Sequence, residues 1–357
     1  METSSSRLAV RLGDLACRNP VLCGSGEHVM TLAGVRAALE QGVGGVIAKS
    51  INESEAAARQ IDRADYVRLD GALRPTDWRS LEAGTSLFNR SGLGGHDPEP
   101  WFGALAELDR EAAKNDQFVA GSIILGAPAA LVELCATAQA AGLRVLELNL
   151  GAPHASEARP GSITIETDPA RVTALVEAAR AAFSGQLWVK LTGLSSNLAA
   201  LASAASDAGA DAVGLMGRFM GMVPDLDTLR PVLNTAAAYG GRWALPITCR
   251  WLALARRETG AAVPLIGTNG ARDGLDVARM MLAGASAVQM TSAVLEQGFD
   301  ALGAAVATLD RWLEDREMTA SRLIGHAADA LEGYPDQPER PGYWRAFAPS
   351  QTNGDDH

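Results

Sequence analysis

Short runs of Val, Ile and Leu alternate along the chain with Ala- and Leu-rich stretches of helical period, the pattern of repeated β-α units. Eight runs read as strands, at 20–23, 45–48, 119–124, 145–148, 187–191, 212–215, 264–266 and 287–290. Amphipathic helices fit between them at 31–41, 129–141, 169–183, 198–208 and 273–283. Several end in glycine just before the next strand, at Gly42, Gly142 and Gly284, where a left-handed helix cap favours that residue. Parallel strands joined by right-handed helical crossovers close into an α/β (β/α)8 barrel. The doubly wound dinucleotide-binding sheet is the competing arrangement, but its glycine fingerprint is missing. Gly24-Ser25-Gly26 follows the first strand and no third glycine arrives on schedule.

The spacing is uneven after strand two, where about 70 residues, 49–117, precede the third strand. This insertion carries a polar, Gly-rich run from Ser86 through Asn89, Ser91 and Gly95 to His96 and Asp97. Long loops at the C-terminal face of such a barrel are where sites form. The expected division is a barrel over 1–310, followed by a C-terminal helix and extended tail over 311–357.

Hydrophobic residues make up 47% and charged residues 20% of the 357 positions, enough for a large core. A formal net charge of −11 argues against nucleic acid or an anionic membrane surface as a partner. The four cysteines form no CxxC pair, which argues against an iron–sulfur cluster or a zinc site. No metal site is expected. Neither a signal peptide nor an uninterrupted apolar run of about 18 residues is seen, so a cytoplasmic location and no membrane association are expected. A homo-oligomer is expected from the general frequency of such assemblies.

Strand alternation puts Glu147 and Asn149 on one face of strand four and Trp188 and Lys190 on one face of strand five. If both faces point inward, a carboxylate, an amide and an amine meet near the barrel mouth. They then form either a plugging ion pair or chemical equipment. A Gly-containing turn follows strand seven at Gly267-Thr268-Asn269-Gly270, and a turn with two hydroxyl side chains follows strand eight at Met290-Thr291-Ser292. These are the positions where (β/α)8 barrels commonly hold a phosphate.

The run Glu147-Leu148-Asn149-Leu150-Gly151-Ala152-Pro153-His154 resembles the ELNxSCP signature of the dihydroorotate and dihydropyrimidine dehydrogenases. Trp188-Val189-Lys190-Leu191-Thr192 is similar to their VKLTP strand, Asn19-Pro20 to their opening motif and Ala48-Lys49-Ser50 to their Lys-Ser/Thr pair. The Asn89 run is similar to their NxxGxxN loop, and 264–295 to their glycine turn and AGASAVQ segment. The resemblance implies FMN across the barrel mouth and hydride exchange between flavin N5 and a small polar substrate. By motif position, Gly267, Asn269, Gly270, Thr291 and Ser292 belong to the phosphate end, and Lys190 lies near the flavin pyrimidine. Lys49, Ser50, Asn89 and Asn149 touch flavin or substrate.

The departures fall on the substrate side. Ala152 stands where the family carries a proton-handling Cys or Ser, Gly151 replaces the Ser before it, and the Asn-Thr pair after strand six is absent. A side chain without a titratable atom moves no proton. His154 is the first candidate to take over that role, with Lys190 and Asn149 as the other catalytic candidates. His96, Ser91, Ser156 and His28 are weaker ones. Arg218 and Arg250 could bind an anionic substrate group but read more readily as structural. Lone Cys249 reads as packing. The expected activity is an FMN-dependent oxidoreductase acting on CH–CH bonds, with a separate electron donor or acceptor. Oxygen activation, redox-neutral chemistry or non-catalytic flavin binding are alternatives on the same cradle.

Overall fold

Strands buried on both faces must be closed upon themselves or covered, and here eight do the first while helices do the second. The computed structural model describes residues 7–78, 86–151 and 167–348. In chain order the strands are β1 (Val10–Leu12), β2 (Leu15–Cys17), β3 (Val21–Cys23), β4 (Gly45–Ile47), β5 (Asp65–Leu69), β6 (Pro75–Thr76), β7 (Ser86–Arg90) and β8 (Phe118–Ile124). They continue with β9 (Val145–Asn149), β10 (Gln186–Lys190), β11 (Ala212–Leu215), β12 (Phe219–Gly221), β13 (Ala237–Gly241), β14 (Leu265–Thr268) and β15 (Ala285–Met290). The main helices are α1 (Leu32–Glu40), α2 (Pro98–Ala112), α3 (Pro128–Ala141), α4 (Pro169–Ala182), α5 (Leu198–Asp207), α6 (Leu245–Glu258), α7 (Gly274–Leu282), α8 (Ser292–Gln297) and α9 (Asp300–Glu314).

The closed barrel runs β3-β4-β8-β9-β10-β11-β14-β15, with β15 pairing back onto β3. All eight strands expected from the apolar runs are present, in parallel and in sequence order. Every position of β8, Phe-Val-Ala-Gly-Ser-Ile-Ile, is buried. Its inward residues fill the barrel and its outward ones meet helices. Low in the interior the Phe118 and Trp188 rings pack edge to face, with centroids 5.0 Å apart. Phe118 is admitted there because Gly45 has no side chain: a Cβ at that position would stand 2.3 Å from its ring.

The long insertion is more than a loop. It contains β5, β6, β7 and the 15-residue helix α2. With β12 and β13, which leave the barrel after β11, three of these strands build an antiparallel sheet of order β12-β13-β7-β5-β6. This sheet has its own apolar centre at Leu69, Phe88, Val223, Val232 and Ala237. Helix α2 was not among the expected helices, although Trp101, Phe102, Leu105, Ala106, Leu108 and Ala112 bury one face of it at helical spacing. The sheet was not expected either, because β7 finds its partner β13 far along the chain.

Helix α9 runs through position 310 without a break, and Arg7 pairs with its Asp310 at 2.9 Å. Beyond it, positions 330–348 are exposed except for the half-buried Gly342. No helix among the described residues is long and apolar enough to cross a membrane.

One buried carboxylate joins three elements. Asp109 of α2, fully buried, accepts hydrogen bonds from Val119 N at 2.9 Å and from Arg144 Nε and Nη2 at 2.6 and 2.8 Å. The hydrogen bond to Asp109 holds the Arg144 guanidinium above its ordinary pKa. Replacing Asp109 by Ala strands a buried N–H and opens a cavity, so stability should fall by ~2–4 kcal/mol. A urea midpoint unchanged in Asp109→Ala would show that the carboxylate is dispensable.

Candidate active site

The site is built at the C-terminal ends of the barrel strands, where alternation turns Glu147, Asn149 and Lys190 inward. Glu147 Oε1 accepts from Lys190 Nζ at 2.6 Å and from Ser122 Oγ at 3.1 Å, and Oε2 accepts from Gln289 Nε2 at 2.7 Å. Ser122 and Ser50 hydroxyls meet at 2.8 Å, and Ser50 meets Ser25 at 3.3 Å. Glu147 is 1% exposed and Lys190 8%, so both charges are desolvated and persist through pairing and satisfied oxygens. The ion pair between Glu147 and Lys190 is formed, and Lys190 also lines the cavity above.

A second pair lies beside the first. Lys49 Nζ donates to Glu27 Oε1 at 3.1 Å. Burial lowers the Lys49 pKa, while Glu27 acts against that shift. Burial alone would raise the Glu27 carboxyl, but Lys49 and the Tyr66 hydroxyl outweigh it and hold it below the usual range. The Tyr66 phenol is pushed up, first by burial and then by Glu27.

Across the mouth, the turn after β14 holds Asn269 at φ +68° and Gly270 at φ +123°. Gly270 is required for space as well as for its backbone, because a Cβ there would stand 2.6 Å from Leu245 N. Thr248 Oγ1 donates to Asn269 O at 2.7 Å and fixes the turn, while Asn269 Nδ2 donates to Gly217 O at 3.3 Å. Thr291 and Ser292 follow β15 directly. Glu147, Ser122 and Thr248 lie behind this surface, while Lys190, Lys49, Glu27, Tyr66 and the two turns border one cavity with about 1200 Å³ of empty space, open to solvent and walled on its far side by the antiparallel sheet.

Of the residues expected from sequence, Lys49, Ser50, Asn89, Asn149 and Lys190 line this cavity. So do Asn269, Gly270, Thr291 and Ser292. Gly267 does not: its missing Cβ faces α7, where it would meet Met280 Sδ at 2.8 Å, so it serves helix packing. His154, like Ala152 and Ser156, lies outside the described residues. His96 is engaged elsewhere, bonded to Met30 O at 2.7 Å and stacked on Trp101 at 4.0 Å. Arg218 and Ser91 border the cavity, whereas Arg250 is exposed and lies 4.9 Å over the Trp251 ring. Burial pushes the Cys249 thiol up to about 11, which keeps it protonated and unreactive.

Sequence reasoning missed Glu27, Tyr66 and Gln289. Glu27 had a signal, its place in the loop after the first strand. Gln289 sits inward on the last strand, two positions from Ala287, and could have been found by alternation. Tyr66 had none without the sheet.

The sequence model of the dihydroorotate dehydrogenase family matches residues 7–313. A protein of Methanosarcina acetivorans named dihydroorotate dehydrogenase B (NAD+), catalytic subunit, is 30% identical over 302 residues, covering 83% of this chain and 88% of its own. Proteins with the same name from Pyrococcus abyssi and Pyrococcus furiosus are 31% and 29% identical, covering 90% and 89% of this chain and 99% and 97% of their own. A flavoprotein oxidoreductase barrel is the class that the fold and the match define, and the chain belongs to the dihydroorotate dehydrogenase family.

His28, in the turn after β3, is buried edge-on against Phe299 with neither ring nitrogen hydrogen-bonded. Burial lowers its pKa to about 4. Its folded pKa lies below the unfolded value of about 6.5, so its contribution is fully present above pH 6.5 and is lost as pH falls toward 4. Stability should drop by ~3 kcal/mol across that window, and His28→Leu should flatten the slope there. Parallel urea midpoints for the two proteins between pH 7 and 4 would show that His28 does not carry this pH dependence.

Proposed function

We propose that the chain is an FMN-dependent oxidoreductase that transfers hydride between flavin N5 and a CH–CH bond of a small polar substrate. The reading rests on one observation: the Asn269–Gly270 turn, the Thr291–Ser292 turn and a buried, paired lysine all face the same cavity at one barrel mouth. The donor set fits the cofactor. Gly270, Thr291, Ser292 and Asn269 offer close backbone approach, hydroxyls and an amide for a phosphate, with no bulky side chain in the way. Lys190, anchored by Glu147, supplies positive charge for the flavin ring, and Lys49, Ser50, Asn89 and Asn149 supply polar contacts to ring or substrate. FMN, when bound, supplies the two-electron chemistry, and the protein supplies orientation and electrostatics.

Asn149 is half held already, its Oδ1 accepting from Gly151 N at 3.1 Å, which leaves its amide N–H groups for a ligand. The antiparallel sheet forms the far wall through Leu87, Asn89, Phe219 and Tyr239. The proton cannot be handled at Ala152, so dihydroorotate oxidation by the family's route is not open to this chain. His154, two residues on, is assigned the proton. The relatives are named catalytic subunits of NAD+ enzymes, and a separate electron partner is assigned here on that ground, in a cytoplasmic homo-oligomer. The loss at Ala152 also favours a second reading, oxygen activation or redox-neutral chemistry on the same flavin.

The purified protein should show a flavin absorption spectrum and release FMN on denaturation. A colourless protein that takes up no added FMN would refute the proposal. Once a substrate is found by flavin bleaching, His154→Ala should lower turnover by roughly 10²–10⁴-fold with the flavin spectrum intact. Unchanged turnover would move the proton to solvent or to another group.

A further inference from the structure

We infer that Arg218 forms an oxyanion-recognition subsite in the cavity, and that the substrate presents a carboxylate or an equivalent planar oxyanion to it. The inference takes its setting from the proposed flavin site and deepens it by naming the substrate class.

Three cationic side chains line the cavity among the described residues: Lys49, Lys190 and Arg218. Two are neutralised, Lys49 by Glu27 at 3.1 Å and Lys190 by Glu147 at 2.6 Å. Arg218 has no carboxylate partner among the described residues. Its Nη2 donates to the neutral Ser91 Oγ at 2.8 Å, and its other N–H groups have no protein acceptor there. Burial lowers the Arg218 pKa, with Glu27 and Tyr66 pulling the other way. Among the described residues this half-buried guanidinium is therefore the one cavity cation without a carboxylate of its own, and an entering anion would answer its charge. The planar guanidinium fork matches a carboxylate through two parallel hydrogen bonds, a specificity a lysine would not provide.

The backbone is built to deliver this side chain. Directly after β11 the chain reverses through Met216 at φ +68° and Gly217, whose N donates to Leu191 O at 2.9 Å. A Cβ at Gly217 would stand 2.6 Å from that same oxygen. Arg218 is the next residue, placed between this tight turn and β12. The flavin phosphate is not its intended partner. The turns after β14 and β15 are the phosphate candidates, whereas Arg218 is bonded to Ser91 just beyond β7 and acts electrostatically on Lys49.

The test uses FMN-loaded protein titrated with matched probes, benzoate against benzyl alcohol and dihydroorotate against dihydrouracil, each pair differing in a carboxylate. Binding is read from the flavin absorbance change at constant ionic strength. Wild type should prefer the carboxylate of at least one pair by about tenfold or more. Arg218→Gln should weaken that carboxylate by roughly 10–100-fold while leaving the neutral probe within about twofold, and Arg218→Lys should restore part of the preference. A wild type that binds no carboxylate, or prefers none, overturns the subsite, as does an Arg218→Gln that keeps the preference. Should Arg218→Gln fail to fold, Arg218→Lys and Ser91→Ala take its place, each expected to keep only part of the wild-type preference, and a full preference in both overturns the subsite. Should the protein bind no FMN, the flavin proposal falls by itself. The same probes titrated by calorimetry against the flavin-free protein then decide the subsite separately.

Discussion

The arrangement at the barrel mouth depends on how one carboxylate, Glu147, is kept charged in an apolar interior. A buried anion is stable only if its charge and both its oxygens are answered, and Lys190, Ser122 and Gln289 answer them from β10, β8 and β15. Because these partners come from both sides of the barrel, the network fixes the radius and register of the strands that reach it. It also points the Lys190 ammonium upward from a rigid base. The hydroxyl chain through Ser122 and Ser50 to Ser25 carries the same constraint toward the first strand.

Above this floor the charges are arranged unequally. The Glu27–Lys49 pair repeats the logic of the Glu147–Lys190 pair, closing a cation with a carboxylate at the pocket wall. Arg218 does not follow it and keeps a neutral partner. The cavity thus combines a neutralised base, a phosphate-sized set of turns on one side and an open guanidinium on the other.

Much of the scaffold was legible because local rules govern it. The apolar runs, their spacing and the glycines before strands predicted each barrel strand and five of its helices. Inward alternation placed Glu147, Asn149 and Lys190 together, and the Asn269–Gly270 turn and Thr291–Ser292 stand where barrel precedent put them. Gly267 misled, since a glycine in a motif can serve strand–helix packing as readily as a ligand. Here Met280 occupies the space its side chain would need.

What the sequence determined by itself was the barrel, the inward faces of its strands and the chemical poverty of position 152, because periodicity and residue type act over a few neighbours. The tertiary structure decided the rest. The sheet over the mouth forms from β5–β7 and β12–β13, segments whose alternation is short and whose partners are distant, so no local pattern announces it. Only that sheet brings Tyr66 to Glu27 and Ser91 to Arg218. Charge compensation is likewise a property of three-dimensional neighbours: Lys49 and Arg218 are both cations in polar loops on paper, and among the described residues only folding pairs one with a carboxylate and the other with a serine hydroxyl.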